Sequence, residues 1–251
     1  MQYLLYIPLG LLPSLIWLCF YLRKDQHPEP NSMVVKMFLW GMALAPLAIA
    51  LELLLIWLLS PGTNPFDLIS QTQSASVIKI VLSATLIPAL VEEYLKYSAV
   101  KFRILKNSEF DEPTDAMIYC LIVGLGFAAI ENLLILFKIT YPDFGQVFGI
   151  ISLRFLGATL VHALASAIVG YWLAFGILHN KERKVFISIG LGLAILFHTC
   201  YNYLIITIAR LTDSGQKMIL ISSVAALMVF TALVVSYYFR KLKKQQSICK
   251  T

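Results

Sequence analysis

Long apolar stretches alternate with short polar segments along the whole chain. Each stretch approaches the roughly 20 residues a helix needs to cross ~30 Å of hydrocarbon. The pattern predicts seven membrane-spanning helices, over residues 2–22, 33–59, 77–102, 115–138, 147–178, 185–209 and 217–239. The fifth is long enough to tilt or to project from the bilayer. The intervening segments carry turn chemistry. Ser60-Pro61-Gly62-Thr63-Asn64-Pro65 ends the second helix and opens the longest external segment, which runs through Ser76. Tyr141-Pro142-Asp143 turns the chain after the fourth span, and His179 to Lys184 forms a solvated loop. Met1 to Leu22 has neither a charged leading region nor a small-residue cleavage site, so it reads as a retained first span. The expected fold class is therefore all-α, a polytopic membrane helical bundle. Residues 1–251 form one integral membrane domain, with the polar motifs confined to 77–209.

Composition agrees. With 59% hydrophobic and 14% charged residues, the chain is too apolar for a soluble domain of 251 residues. Charge then orients the bundle. Arg23, Lys24, Lys36, Lys101, Arg103 and Lys106 cluster on one side with Lys181, Arg183, Lys184 and the basic tail from Arg240 to Lys250. Lys79, Lys138, Arg210 and Lys217 flank the other side. The excess of positive charge marks the cytoplasmic face, so the N-terminus is expected outside and the C-terminus inside. Topology and anionic lipid account for the net charge of +6 without a nucleic-acid partner. Cys19, Cys120 and Cys200 fall in spans and Cys249 in the tail, which argues against a disulfide framework or a CxxC metal site.

Ionisable side chains inside the spans change the picture, because each is costly in hydrocarbon and tends to mark function. The third span carries Glu92-Glu93-x-x-Lys96, and both acids are within helical reach of the ammonium. One lysine cannot neutralise two carboxylates, so one carboxyl either keeps a proton or needs a partner from another helix. The fourth span carries Phe127 and Glu131 on one face, with Asn132 beside them. Phe127 is expected to exclude water. The fifth places Arg154 and His162 broadly on one side, and the sixth has His198 and Asn202 one turn apart. Each has a bland reading: an internal ion pair, interhelical hydrogen bonding by Glu131, a snorkelling Arg154, or a satisfied core histidine. Three acids and two imidazoles on four helices favour a shared polar chamber instead. Straight-helix counting does not close it, since Glu92 and His162 come out ~10 Å lower than Glu131 and His198. Glu52, in the second span, fits no pattern and is expected to contribute little. The Asp111-Glu112-Pro113-Thr114-Asp115 loop supplies Thr114 or Asp115 as a cap for the fourth helix. Gly124 and Gly126 permit close backbone approach there.

Taken in order, Glu92-Glu93-x-x-Lys96, Asp111-Glu112-Pro113-x-Asp115, Gly126-Phe127-Ala128-Ala129-x-Glu131-Asn132, Arg154 with His162, and His198-x-x-x-Asn202 resemble the PrsW family of intramembrane proteases. The resemblance covers residues 90 to 203. That family is similar to the wider CAAX-protease and bacteriocin-processing superfamily, in which a double glutamate and histidines on neighbouring helices activate water. Glu131 stands where that superfamily usually has a histidine. The resemblance implies a bacterial multi-pass endopeptidase of the cell membrane that cuts a single-span membrane protein. In the family's known role the substrate is an anti-sigma factor, cut at its extracytoplasmic side to begin a signalling cascade.

The expected chemistry is peptide hydrolysis by activated water. Glu92 or Glu93 serves as general base, and Asn202 as an oxyanion donor. Lys96, Asn132, Arg154 and Phe127 support the site. His162, His198 and Glu131 either bind a metal or hydrogen-bond water and carbonyl. Two imidazoles and a carboxylate form a recognised catalytic set for Zn2+, while a metal-free glutamate mechanism stays open. Buried acids and imidazoles also suit a proton-coupled transporter, the main alternative, and a non-catalytic membrane chaperone is a third.

Overall fold

The computed structural model describes residues 2–25, 27–59, 77–105, 107, 109–139, 143–179 and 182–245. The expected external segment at 60–76, the turn residues 140–142, Lys106, residues 180–181 and the tail from 246 lie outside the described residues. The described residues form helices and their connections, with no strand among them. They comprise α1 (Gln2–Leu22), α2 (Asn31–Leu59), α3 (Ile87–Arg103), α4 (Pro113–Lys138), α5 (Phe144–Leu156), α6 (Ala158–Leu178), α7 (Arg183–Arg210) and α8 (Ser214–Leu242). A single turn, Val77–Lys79, and a π-helical segment, Ile80–Leu86, lead into α3.

Among the described residues, five helical stretches are long and apolar enough to cross a membrane: Asn31–Leu59, Pro113–Lys138, Phe144–Leu178, Arg183–Arg210 and Ser214–Leu242. Two expected spans fall outside these five. The apolar run of the first, Tyr6–Leu22, is shorter. The third is divided by its π-helical segment and carries Glu92, Glu93 and Lys96 on α3.

Helix α4 is the axis of the bundle. It is buried along nearly its whole length and packs against α1, α2 and α6. Small residues make those approaches close: a Cβ at Gly126 would overlap the Phe38 carbonyl of α2. One at Gly124 would overlap Ser166 and the His162 carbonyl of α6. Without a hydrophobic drive between helices in lipid, such contacts provide the packing that orders the bundle. The start of α4 is fixed by a capping box. Asp115 Oδ2 accepts the backbone N–H of Glu112 at 2.7 Å and of Asp111 at 2.9 Å, with Pro113 in the first turn. Of the two expected caps, Asp115 holds the backbone, and Thr114 Oγ1 donates to Glu112 Oε2 at 3.1 Å.

The fifth stretch is two helices. Gly157 has ψ −103°, outside the helical range, and separates α5 from α6. A Cβ there would overlap the Tyr201 hydroxyl of α7, so the break is packed against α7. Helix α8 lies at the periphery, with Met218, Ile219, Phe230 and Leu233 largely exposed, as a lipid-facing helix requires.

Candidate active site

Helix α3 supplies the centre of the constellation. Glu92, Glu93 and Lys96 are buried, and Lys96 Nζ donates to Glu92 Oε2 at 3.2 Å and to Glu93 Oε1 at 2.9 Å. Its third partner is His162 Nδ1 on α6, at 2.7 Å. The ammonium also lies 4.3 Å from the centroid of the Phe127 ring, which screens it from lipid. The carboxylates find their further partners across helices. His198 Nδ1 of α7 lies 2.9 Å from Glu93 Oε1 and 4.0 Å from Glu92 Oε2. The imidazoles of His162 and His198 meet edge to face, centroids 5.0 Å apart.

A second layer surrounds His162. Its Nε2 lies 2.7 Å from Glu131 Oε2, and Arg154 Nη2 donates to that same oxygen at 3.2 Å. Arg154 Nε donates to Asn132 Oδ1 at 2.5 Å, and Asn132 Nδ2 donates to Thr159 Oγ1 at 3.1 Å. These bonds fix the tautomer of His162. An ammonium only donates, so Nδ1 accepts from Lys96 and Nε2 carries the proton that goes to Glu131. By the same reasoning His198 donates from Nδ1 to Glu93.

These layers border a cavity of ≈ 350 Å³. Glu92, Glu131, Arg154, His162, His198 and Asn202 line it, with Ile49 of α2 and Ile205 of α7 among its apolar walls. Glu93 and Lys96 stand behind these residues, and Asn202 reaches the cavity one turn beyond His198. Glu52 is only partly buried on α2 and does not line it.

One donor each from Glu92, Glu93, His162 and His198 lies within 4.8 Å of the other three. Two imidazoles and two carboxylates suit a borderline divalent ion. Glu93 Oε2 is buried with no hydrogen-bond partner among the described residues, leaving a free lone pair within the group. The donors therefore fit a metal. The converging group pairs the expected His162 and His198 with Glu92 and Glu93, and Glu131 meets His162 Nε2 and Arg154 through its Oε2.

The ~10 Å offset expected from straight helices is absent, and the breaks explain why. His162 is only four residues into α6, so its depth is set by Gly157 rather than by the outer end of the fifth stretch. Glu92 lies six residues beyond the π-helical segment, near the start of α3. Thr159 is the polar residue sequence reasoning missed. Its signal was the three-residue spacing to His162, which puts both on one face.

The sequence model of the PrsW family intramembrane metalloproteases matches residues 29–239, a range that includes every residue of the constellation. The chain belongs to this family. Proteins named Protease PrsW align over most of their length. The one from Geobacillus kaustophilus is 30% identical over 207 residues, 81% of each chain. The one from Oceanobacillus iheyensis is 29% identical over 198 residues, covering 78% of this chain and 80% of its own. The Bacillus subtilis protein is 25% identical over 206 residues, 81% of this chain and 84% of its own. No solved structure matches. This PrsW-family chain is thus a multi-pass membrane protease, and its buried Glu/His group can hold a metal ion.

Proposed function

We propose that this membrane protease hydrolyses a peptide bond of a single-span, anti-sigma-factor-like membrane protein within the cavity lined by Glu92, His162 and His198. One observation carries the reading: four ionisable side chains from four helices, those of Glu92, Glu131, His162 and His198, open onto the same cavity.

Glu92 faces the cavity and acts as general base, taking a proton from water and returning it to the leaving amine. Glu93 is held from behind by Lys96 and His198, and its unpartnered oxygen suits a ligand better than a base. His198, Glu93 and His162, whose Nδ1 would exchange its Lys96 hydrogen bond for the metal, would hold a Zn2+ ion, which when bound supplies Lewis acidity toward water and carbonyl. Glu131 orients His162 from outside that set, as carboxylates commonly do for ligating imidazoles, and Arg154 and Asn132 hold Glu131 in place. Asn202 donates to the developing oxyanion. Lys96 compensates the two α3 carboxylates.

The same reading places the chain in the cytoplasmic membrane as one domain over residues 1–251, its site within 77–209. It crosses seven times, N-terminus outside and C-terminus cytoplasmic, so α1 and the stretch ending in α3 also span. The deciding experiment co-expresses a single-span reporter and measures its cleavage, with bound metal determined on the purified protein. Glu92→Gln, Glu93→Gln, His162→Ala and His198→Ala each abolish cleavage while the protein remains inserted, and chelation stops the wild type. Cleavage that persists in all four variants overturns the site.

A further inference from the structure

On the side of the bundle where α1 and α8 both end, a second cavity of ≈ 540 Å³ lies between α1, α6 and α8. It shares no residue with the site above. Its deep part is apolar and aromatic: Trp17 and Tyr21 of α1, Leu160 of α6 and Phe239 of α8. Tyr21 stacks on Phe239, and Trp17 is locked by stacking on Phe155 and by donating Nε1–H to the Phe155 carbonyl at 2.9 Å. Its mouth is cationic, formed by Lys24, Arg240 and Lys243, with the Ser236 hydroxyl between the two zones.

The spacing of the lining residues is the same along both helices. Trp17 and Tyr21 of α1, with Lys24 two residues past its end, follow at helical spacing and span about 10 Å from apolar wall to charge. Ser236 and Arg240 of α8, with Lys243 at its C-cap, repeat that spacing. No carboxylate forms an ion pair with Lys24, Arg240 or Lys243 among the described residues. The adjacent acid, Asp25, is grouped with Glu112 and Asp115. The helix ends contribute only about half a negative charge each, too little to balance three cations.

We propose that this groove is a binding site for one anionic glycerophospholipid, its acyl region against Trp17, Tyr21, Leu160 and Phe239 and its phosphate at Lys24, Arg240 and Lys243. Charge complementarity selects the occupant. An apolar wall alone accepts any acyl chain, whereas three converging cations without counter-charge call for an anionic headgroup at the end of that chain. The site ties α1 to α8, and through Leu160 it backs onto α6, two residues from His162.

The test is native mass spectrometry of the full chain in detergent, titrated with phosphatidylglycerol or phosphatidylcholine of identical acyl chains. The wild type retains one phosphatidylglycerol in clear preference. Lys24→Gln with Arg240→Gln lowers that affinity by roughly 25-fold, about fivefold per charge. Lys36→Gln with Lys184→Gln, an equal charge loss at exposed positions elsewhere, changes it less than twofold. Ser236→Trp keeps every charge but fills the groove, and lowers retention at least tenfold while reporter cleavage shows that the chain still folds. The proposal falls if the wild type shows no headgroup preference, or if both charge pairs weaken binding alike. It falls too if Ser236→Trp has no effect, or if soluble glycerol phosphate displaces the lipid.

Discussion

The chain gathers acidic side chains in two places and holds them in opposite ways. Around α3, Glu92, Glu93 and Glu131 are answered by Lys96, Arg154 and two imidazoles, and the assembly opens onto a cavity. At the start of α4, Asp25, Glu112 and Asp115 come together with Glu29 nearby, and their partners are backbone amides, hydroxyls and the exposed His27. Asp115 is spent on two N–H groups, Thr114 donates to Glu112, and His27 pairs with Glu112. Acids whose lone pairs are consumed by the backbone end a loop and begin a helix. Acids balanced by mobile protons and side-chain cations, beside a space that admits a substrate, are arranged for chemistry. Glu112 and Asp115, like the acids of the first group, belong to motifs that carry the family resemblance, so the resemblance alone does not distinguish the two groups.

The sharpest way to break this contrast is to neutralise one acid in each group. Glu92→Gln lowers the cleavage rate by about 10³-fold, the loss of a general base at the reacting water. Asp115→Ala leaves the rate within about threefold. Comparable losses in the two variants, measured at equal membrane-inserted protein, would erase the distinction between the clusters.

Lys96 tests the balance inside the first cluster. Lys96→Met leaves Glu92 and Glu93 without their shared ammonium, and an uncompensated buried charge costs about 3–5 kcal/mol. The expected result is a large fall in thermal stability in detergent. Adding Glu92→Gln restores part of it, because one acid fewer needs compensation. Additive destabilisation in the double variant would show that the ammonium and the carboxylate do not act as a pair.

The two clusters also differ in how far the sequence revealed them. Every member of the first was legible as an ionisable or amide side chain in an apolar stretch, and helical spacing correctly joined Glu92, Glu93 and Lys96. Their meeting across helices was not legible. It depends on Gly157 ending α5 and on the π-helical segment before α3; Pro88 at the opening of α3 is a local sign of the second break, and neither break carries a run of turn residues. The alternation of apolar and polar segments foretold α2, α4, α7 and α8 well, since long uniform stretches leave little choice. It overran at the fifth, where one apolar stretch hides two helices. Partner choice was harder to read than position. Glu131 was legible as an acid near two imidazoles, but its bonds to Arg154 and His162 Nε2 were not.

In the second cluster the expected losses are structural. Asp115→Ala removes the acceptor for the N–H groups of Asp111 and Glu112 and unmakes half of the capping box, at a cost of about 1–2 kcal/mol. The melting temperature falls modestly with cleavage retained. An unchanged melting temperature would mean that water replaces the lost acceptor without penalty.

Glu29 gives the finest test, because it ties this cluster to pH. It is buried in the loop before α2, and its Oε2 accepts the Tyr119 hydroxyl at 2.5 Å. Burial raises its carboxyl from the ordinary 4.5 to about 8, with the charges of Asp115 and Asp25 pushing the same way and the Tyr119 hydrogen bond opposing. The folded chain therefore holds a proton there that the unfolded chain has lost, and between these two values stability declines as pH rises. Above about 8 both states are ionised at Glu29 and the decline stops. Glu29→Gln stays neutral throughout, so its melting temperature loses this part of the slope between pH 5 and 8. The α3 cluster is untouched by the change, and a wild-type slope that survives in Glu29→Gln would assign the pH dependence to other groups.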